Sequence, residues 1–173
     1  APRRIELTST PFFPQDEYQC GPAALATLLV ASGVAVTPEA LVPEVFIPER
    51  HGSLQLELIG AARRHARLPY VLATTADEMV AELEAGRPVL VLQNLGATQL
   101  PVWHYAVLIG YDTESNVALL RSGGDERVEM RWQRFAGTWH RGGRFAMTTL
   151  RPGDIPAHVD RARYMEAAAG LEA

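Results

Sequence analysis

The strongest constraint on this chain is the run from Pro22 to Ala31, whose side chains are apolar on every side except Thr27. A helix that is apolar all round must be buried, so the rest of the chain has to supply a core around it. Pro22 suits the first helical turn, where its missing N–H would have no partner, and Gly33 suits the helix end. The sequence predicts this helix from about Pro22 to Ser32. Directly ahead of it lie the polar loop Gln15-Asp16-Glu17-Tyr18-Gln19 and Cys20, the single cysteine of the chain. Cys20 therefore falls at, or one residue before, the N-terminus of a buried helix. Unpaired N–H groups and the positive end of the macrodipole favour a thiolate there, and a thiolate is the nucleophile that acyl transfer needs. A lone cysteine is most often a small buried hydrophobe; it is the placement that argues for chemistry. Gln15 adds to it, because a side-chain amide just ahead of a nucleophile can aim its N–H at a developing oxyanion, with the Cys20 backbone N–H as second donor. Read without that role, Gln15 is an ordinary solvated loop residue.

A chain of 173 residues has room for one domain with a real core. Hydrophobic content of 47% and charged content of 21% describe a soluble globular protein, and a net charge of −4 argues against a nucleic-acid partner. One cysteine excludes an intramolecular disulfide and leaves the redox compartment open. No apolar run reaches the ~20 residues of a membrane span. No signal peptide is evident, and a start at Ala1 without Met fits a processed or trimmed N-terminus. No cofactor is expected. His51 and His65 flank one helix without metal-type spacing and are expected at the surface, and a zinc site from Cys20, His104 and a carboxylate lacks paired ligands at close spacing.

Taken in order, residues 1 to 9 suit an edge strand or a linker. Thr37-Pro38 starts a short helix expected to end before Pro43. Ser53 caps a helix over about Leu54 to Ala66, with Leu54, Leu58, Ala61 and Ala62 inward. Pro69 to Leu72 is a short strand, and Thr75 caps a helix over Ala76 to Glu84 that Gly86 ends. Pro88 to Leu92, Trp103 to Tyr111 and Asn116 to Leu120 are strands, the first two apolar enough to be buried on both faces. Asp112 to Ser115 and Gly123-Gly124-Asp125 are turns. A strand around Arg127 to Arg131, a short helix from Trp132 to Trp139 and a strand from Phe145 to Leu150 complete the sheet. After Pro152-Gly153-Asp154 breaks the chain, a helix over 156 to 170 either packs on the domain or begins a helical extension.

His104 opens the Trp103 strand. A histidine at the mouth of a buried strand is held rigidly with its polar end in a cleft, the setting of a general base; read blandly, it is a satisfied half-buried residue. His140 and His158 have no such setting and are expected at the surface. A Gln, a short gap, Cys-Gly-Pro-Ala, an apolar helix and a His opening a hydrophobic strand together resemble the papain-like bacteriocin-processing cysteine peptidases, over about residues 10 to 150. The resemblance implies an α+β papain-like fold, N-terminal helices packed on an antiparallel sheet, with a peptidase domain at 1–152 and a helical extension at 153–173. It implies Cys20 as nucleophile, His104 as base, Gln15 at the oxyanion, and a peptide or protein substrate cut after a double glycine, with Trp103, Tyr105 and Phe13 as candidate walls of a narrow cleft. It also implies a stand-alone member, extracytoplasmic rather than cytoplasmic. In that family an Asp follows the His on the next strand; here the register of the hairpin puts Ser122 at that position, with Asp125 as a substitute and Asp112 too far along. A hydroxyl can orient the imidazole but adds no charge. The same residues would serve another papain-like amidase or acyl transferase, and the missing carboxylate leaves open a non-catalytic leader-peptide-binding domain.

Overall fold

The structure is a computed structural model and describes residues 3–14, 19–47, 52–53, 55–169 and 171. In chain order its elements begin with β1 (Arg4–Glu6), α1 (Cys20–Ala31), α2 (Pro38–Val45), β2 (Phe46–Ile47) and β3 (Gly52–Ser53). Then come α3 (Gln55–Arg64), β4 (Leu68–Val71), α4 (Ala76–Glu84), β5 (Val89–Asn94) and β6 (Trp103–Asp112). The chain continues with β7 (Val117–Ser122), β8 (Asp125–Arg131), α5 (Trp132–Arg141), β9 (Ala146–Leu150) and α6 (Arg161–Ala168). β2 and β3 form a small hairpin of their own. The other seven strands make one antiparallel sheet in the order β4-β9-β5-β6-β7-β8, with β1 added beside the far half of β6.

The sheet is buried on both faces because the sequence supplies two apolar sets of helices. On one face, Leu25, Leu28 and Leu29 of α1 pack with Leu41 of α2 and Leu58 of α3 against Leu90, Val107 and Ile109. On the other, Met79 and Leu83 of α4 and Phe135 and Trp139 of α5 pack against Val89, Val91 and Leu108. β5 is buried along its whole length, which is why it reads as an unbroken apolar run and not an alternating one. Between Leu108 and Gly110 the pairing of β6 with β7 slips by one residue, a β-bulge.

α1 runs along the sheet, and the contacts at its C-terminal end fix its direction. At its end, the Ser32 hydroxyl lies 3.1 Å from Thr149 Oγ1. The Ser32 carbonyl accepts from Arg67 Nε at 2.9 Å and Arg151 Nε at 3.0 Å. Two guanidinium groups thus sit on the negative end of the helix dipole. Thr149 is at the rim away from Trp103, since Ala146 at the start of β9 pairs with Val91. The helix, about 18 Å long, therefore begins at the rim where β6 begins.

Several sequence expectations are corrected. α2 does not stop before Pro43 but carries it inside the helix; burial of Leu41 and Val45 on either side outweighs the one backbone hydrogen bond that proline removes. Ser53 lies in β3, and α3 starts at Gln55. The last helix starts at Arg161, not 156, where the Asp160 carboxylate accepts the Arg163 N–H at 3.0 Å. That helix docks on the domain. Arg163 binds the Glu78 carboxylate with both terminal nitrogens at 2.8 Å and lies over the Tyr70 ring. Tyr70 in turn donates to the His158 carbonyl at 2.9 Å. Gln15, His51 and Leu54 lie outside the described residues.

β1 crosses β6 at Gly110, where an added Cβ would fall on the Ile5 carbonyl oxygen. Gly110→Ala is expected to displace β1 and cost about 2 kcal/mol, read as a lower urea midpoint with an unchanged m-value.

Candidate active site

Cys20 is the first residue of α1 and is partly buried against the α1-side core. The Gln19 side chain does not cap the helix, and the first N–H groups of the helix are directed at the rim around the sulfur. Ala23, Ala24 and Thr27, one turn further on, line a small cleft whose other walls are Phe13, Tyr105 and Ser122. Cys20 and Tyr105 are close enough for a thiolate to act on the phenol. Burial raises the Tyr105 pKa first, and the charge of Cys20 raises it further.

His104 immediately precedes Tyr105 at the mouth of β6. Its Nε2 lies 2.7 Å from Ser122 Oγ, a short side-chain hydrogen bond. The two meet because each is a near-terminal residue of its strand on one face of the sheet. His104 alternates with Ala106 and Leu108, and Ser122 with Leu120, and all three apolar residues belong to the second core. Burial alone holds the His104 pKa below its ordinary 6.5, because desolvation disfavours the imidazolium and no charged group offsets it. Below pH 6.5 the unfolded chain takes up this proton before the folded one does, so His104 makes stability fall as the pH drops through that region.

Neither acidic alternative reaches the imidazole. Asp112 ends β6 at the opposite rim, where its carboxylate accepts the Glu114 and Ser115 N–H groups of the turn at 2.9 and 3.3 Å. Asp125 opens β8 as an exposed residue paired through its backbone with Ser122. The other histidines lie elsewhere: His65 is 3.0 Å from the Glu44 carboxylate, and His140 and His158 are exposed. Among the described residues, no group of three or more His, Cys, Asp or Glu converges as metal ligands. Trp103, a candidate cleft wall, is 57% exposed and is not among the residues that line the cleft beside α1.

Sequence reasoning missed Arg121. It is nearly buried, and its guanidinium donates to the carbonyls of Thr10 at 3.0 Å, Thr8 at 3.4 Å and Glu126 at 2.7 Å. It clamps the segment leading to Phe12 and Phe13 onto the end of β7, next to Ser122. An arginine inside an otherwise apolar strand, Ala118-Leu119-Leu120-Arg121, was the available signal, since buried charge requires partners.

The sequence model of the Peptidase_C39-like family matches residues 7–147. The chain belongs to that family. Similar solved structures agree in fold. A C39-like peptidase from Bacillus anthracis has a TM-score of 0.72 at 18% identity, over 86% of this chain and 98% of that one. The peptidase domain of Streptococcus ComA, a bifunctional ABC transporter of a quorum-sensing pathway, gives 0.66 at 20% identity over 82% and 98%. A double-glycine-motif protease from an AMS/PCAT transporter, in complex with its leader peptide, gives 0.63 at 18% over 82% and 91%. No curated protein matches the chain. The family and the antiparallel sheet flanked by helices make this a papain-like α+β fold of the C39 type. No described helix is long and apolar enough to cross a membrane.

Arg121→Ala leaves three carbonyls without their donor. It is expected to destabilise the fold by about 2–3 kcal/mol in urea unfolding and to make the Thr8–Thr10 amides exchange faster in hydrogen–deuterium exchange.

Proposed function

We propose that this chain is a cysteine peptidase in which Cys20 is the nucleophile, His104 the base and Ser122 the residue that positions the imidazole. The observation that carries the reading is the His104–Ser122 hydrogen bond at the rim where α1 presents its N-terminus. Cys20 packs on the α1 side of the sheet and His104 follows the opposite parity of β6, so the reading requires the imidazole to reach the sulfur round the end of the strand. With Nε2–H donating to Ser122 Oγ, the Nδ1 lone pair of His104 is left to take the thiol proton. The Cys20 sulfur then attacks a peptide carbonyl and a C–S bond forms. The oxyanion is held by the Cys20 backbone N–H and the Gln15 amide. The imidazolium passes its proton to the leaving amine as the C–N bond breaks, giving a thioester. Water, deprotonated by His104, releases the acid and restores the thiol.

The substrate in this proposal is a peptide with small residues at the cut, for which a Gly-Gly leader is the best candidate. The narrow cleft between Phe13, Tyr105 and the α1 alanines supports it, and one structural relative was crystallised with a leader peptide. The proposal places the chemistry in residues 1–152, with 153–173 supporting it through α6. A second reading has its own observation. His104 has a hydroxyl partner where a carboxylate would hold charge, and burial disfavours its imidazolium; both suit a domain that binds a leader peptide without cutting it.

Cys20→Ala should abolish cleavage of a Gly-Gly peptide and labelling by iodoacetamide; cleavage that survives the substitution refutes the nucleophile. Native protein that binds the peptide, leaves it intact and alkylates no faster than a model thiol selects the second reading. Ser122→Ala removes one hydrogen bond of about 1 kcal/mol, so kcat/KM should fall roughly five-fold. Ser122→Asp puts a negative charge beside His104 and raises its pKa. The alkaline limb of the pH–rate profile should then move to higher pH, and an unmoved limb removes Ser122 from contact with the working imidazole.

A further inference from the structure

The charges of this chain are segregated. Its carboxylates are spread along the sequence, yet none lies between 85 and 111 or between 130 and 153. These two stretches fold together. α5 packs on β5, and Arg141 donates to the Asn94 carbonyl at 3.2 Å. In a protein of net charge −4, the stretch 130–153 carries five arginines and no acid. Arg134, Arg141 and Arg144 are exposed and take no carboxylate partner among the described residues, whereas Arg64, Arg87, Arg127 and Arg163 all do. The end of α5 brings exposed His140 and Arg141 to the rim of the sheet that holds Asn94, and Arg144 follows just before β9.

The same rim carries the β5–β6 connection, which has no charged residue from Asn94 to Trp103. It exposes Leu100 at 79%, Trp103 at 57%, Val102 at 53% and Leu95 at 43%. These side chains are held out and not waiting to fold inward. Leu95 N–H donates to the Val102 carbonyl at 2.8 Å, and Ala97 and Leu100 exchange backbone hydrogen bonds at 3.2 Å. The buried Asn94 amide accepts from the Gly96 and Val102 N–H groups at 2.9 Å. An apolar patch of this kind marks an interaction site. Its tip stands in solvent, outside the cleft beside α1, with Arg141 on its α5 side.

We infer that the β5–β6 connection and the C-terminal end of α5 form a docking surface for the anionic face of a phospholipid bilayer. Leu100 and Val102 enter the acyl boundary, Trp103 lies at headgroup level, and Arg141 and Arg144 meet the phosphates. An apolar tip with Arg141 and Arg144 beside it on the α5 side has the layering of such a membrane, hydrocarbon deeper and negative charge shallower. The exposed Asp125 and Glu126 lie on the other side of the rim, at the start of β8. Docking would hold the His104 rim at the membrane surface, but the surface does not depend on the thiol chemistry.

The test is flotation of the chain with phosphatidylcholine vesicles, with and without phosphatidylglycerol, at low and high salt. Binding should require phosphatidylglycerol, weaken as salt rises, and be accompanied by a blue shift of tryptophan emission that Trp103→Phe removes. Arg141→Gln and Arg144→Asn, the latter tolerant of the same left-handed backbone, should each weaken binding roughly five-fold. Leu100→Ser with Val102→Ser should abolish it, with unchanged circular dichroism and unchanged Cys20 alkylation. Failure of the native chain to float with phosphatidylglycerol vesicles overturns the inference. So does binding that these variants leave intact, and so does a double-serine variant that loses affinity for a peptide while still binding vesicles, which would assign the surface to peptide.

Discussion

The direction of α1 is the constraint on which the rest depends. A helix without a polar stripe cannot be oriented by amphipathicity, because any rotation about its axis buries the same kind of surface. Here the polar groups at its end do the orienting. Ser32 accepts two guanidinium groups and meets the Thr149 hydroxyl, so the carbonyl end is tied to one rim of the sheet. The amide end, with Cys20 as its first residue, then has no choice but the other rim. A sulfur whose position matters is thus placed by contacts at the far end of its helix.

At the rim itself, the electrostatics are those of a neutral partnership. A carboxylate beside an imidazole would stabilise its protonated form; the hydroxyl of Ser122 fixes orientation and leaves the balance to desolvation. In the proposed enzyme, stabilisation of a thiolate at Cys20 falls to the dipole at the N-terminus of α1. The division of labour in that proposal differs from that of a charged triad: the backbone supplies the field, and the side chains supply the geometry.

The sequence showed most where one pattern had one outcome. Ala76 to Glu84 reads as a helix between a threonine and a glycine, and α4 has those bounds. The apolar runs of β5 and β6 could only be central strands. The hairpin turn led the sequence to expect Ser122 near His104, but the one-residue slip between Leu108 and Gly110 puts the two on one face, and nothing in the sequence marks that slip. Other features were hidden for physical reasons. α2 continues through Pro43 because burial of its neighbours outweighs a local rule. β2 and β3 are two residues each, too short for any period to show. The clamp made by Arg121 involves only backbone carbonyls of Thr8, Thr10 and Glu126, and carbonyls carry no side-chain signature. The docking of α6 rests on Tyr70, Glu78 and Arg163, which lie far apart in sequence and individually look like surface residues.

The bulge at Gly110 has a consequence for how this gene can tolerate change. Leu108 and Tyr111 both face the second core although they are three positions apart, an odd spacing that a regular strand cannot deliver. The surplus residue resets the parity of everything between Ile109 and Trp103. Loss of one codon there would reverse the facing of every residue from Trp103 to Leu108 and separate His104 from Ser122, while the hairpin beyond kept its place. The position of the imidazole is therefore counted, residue by residue, from a single irregularity in a strand, and an in-frame deletion of the least conspicuous kind would move it.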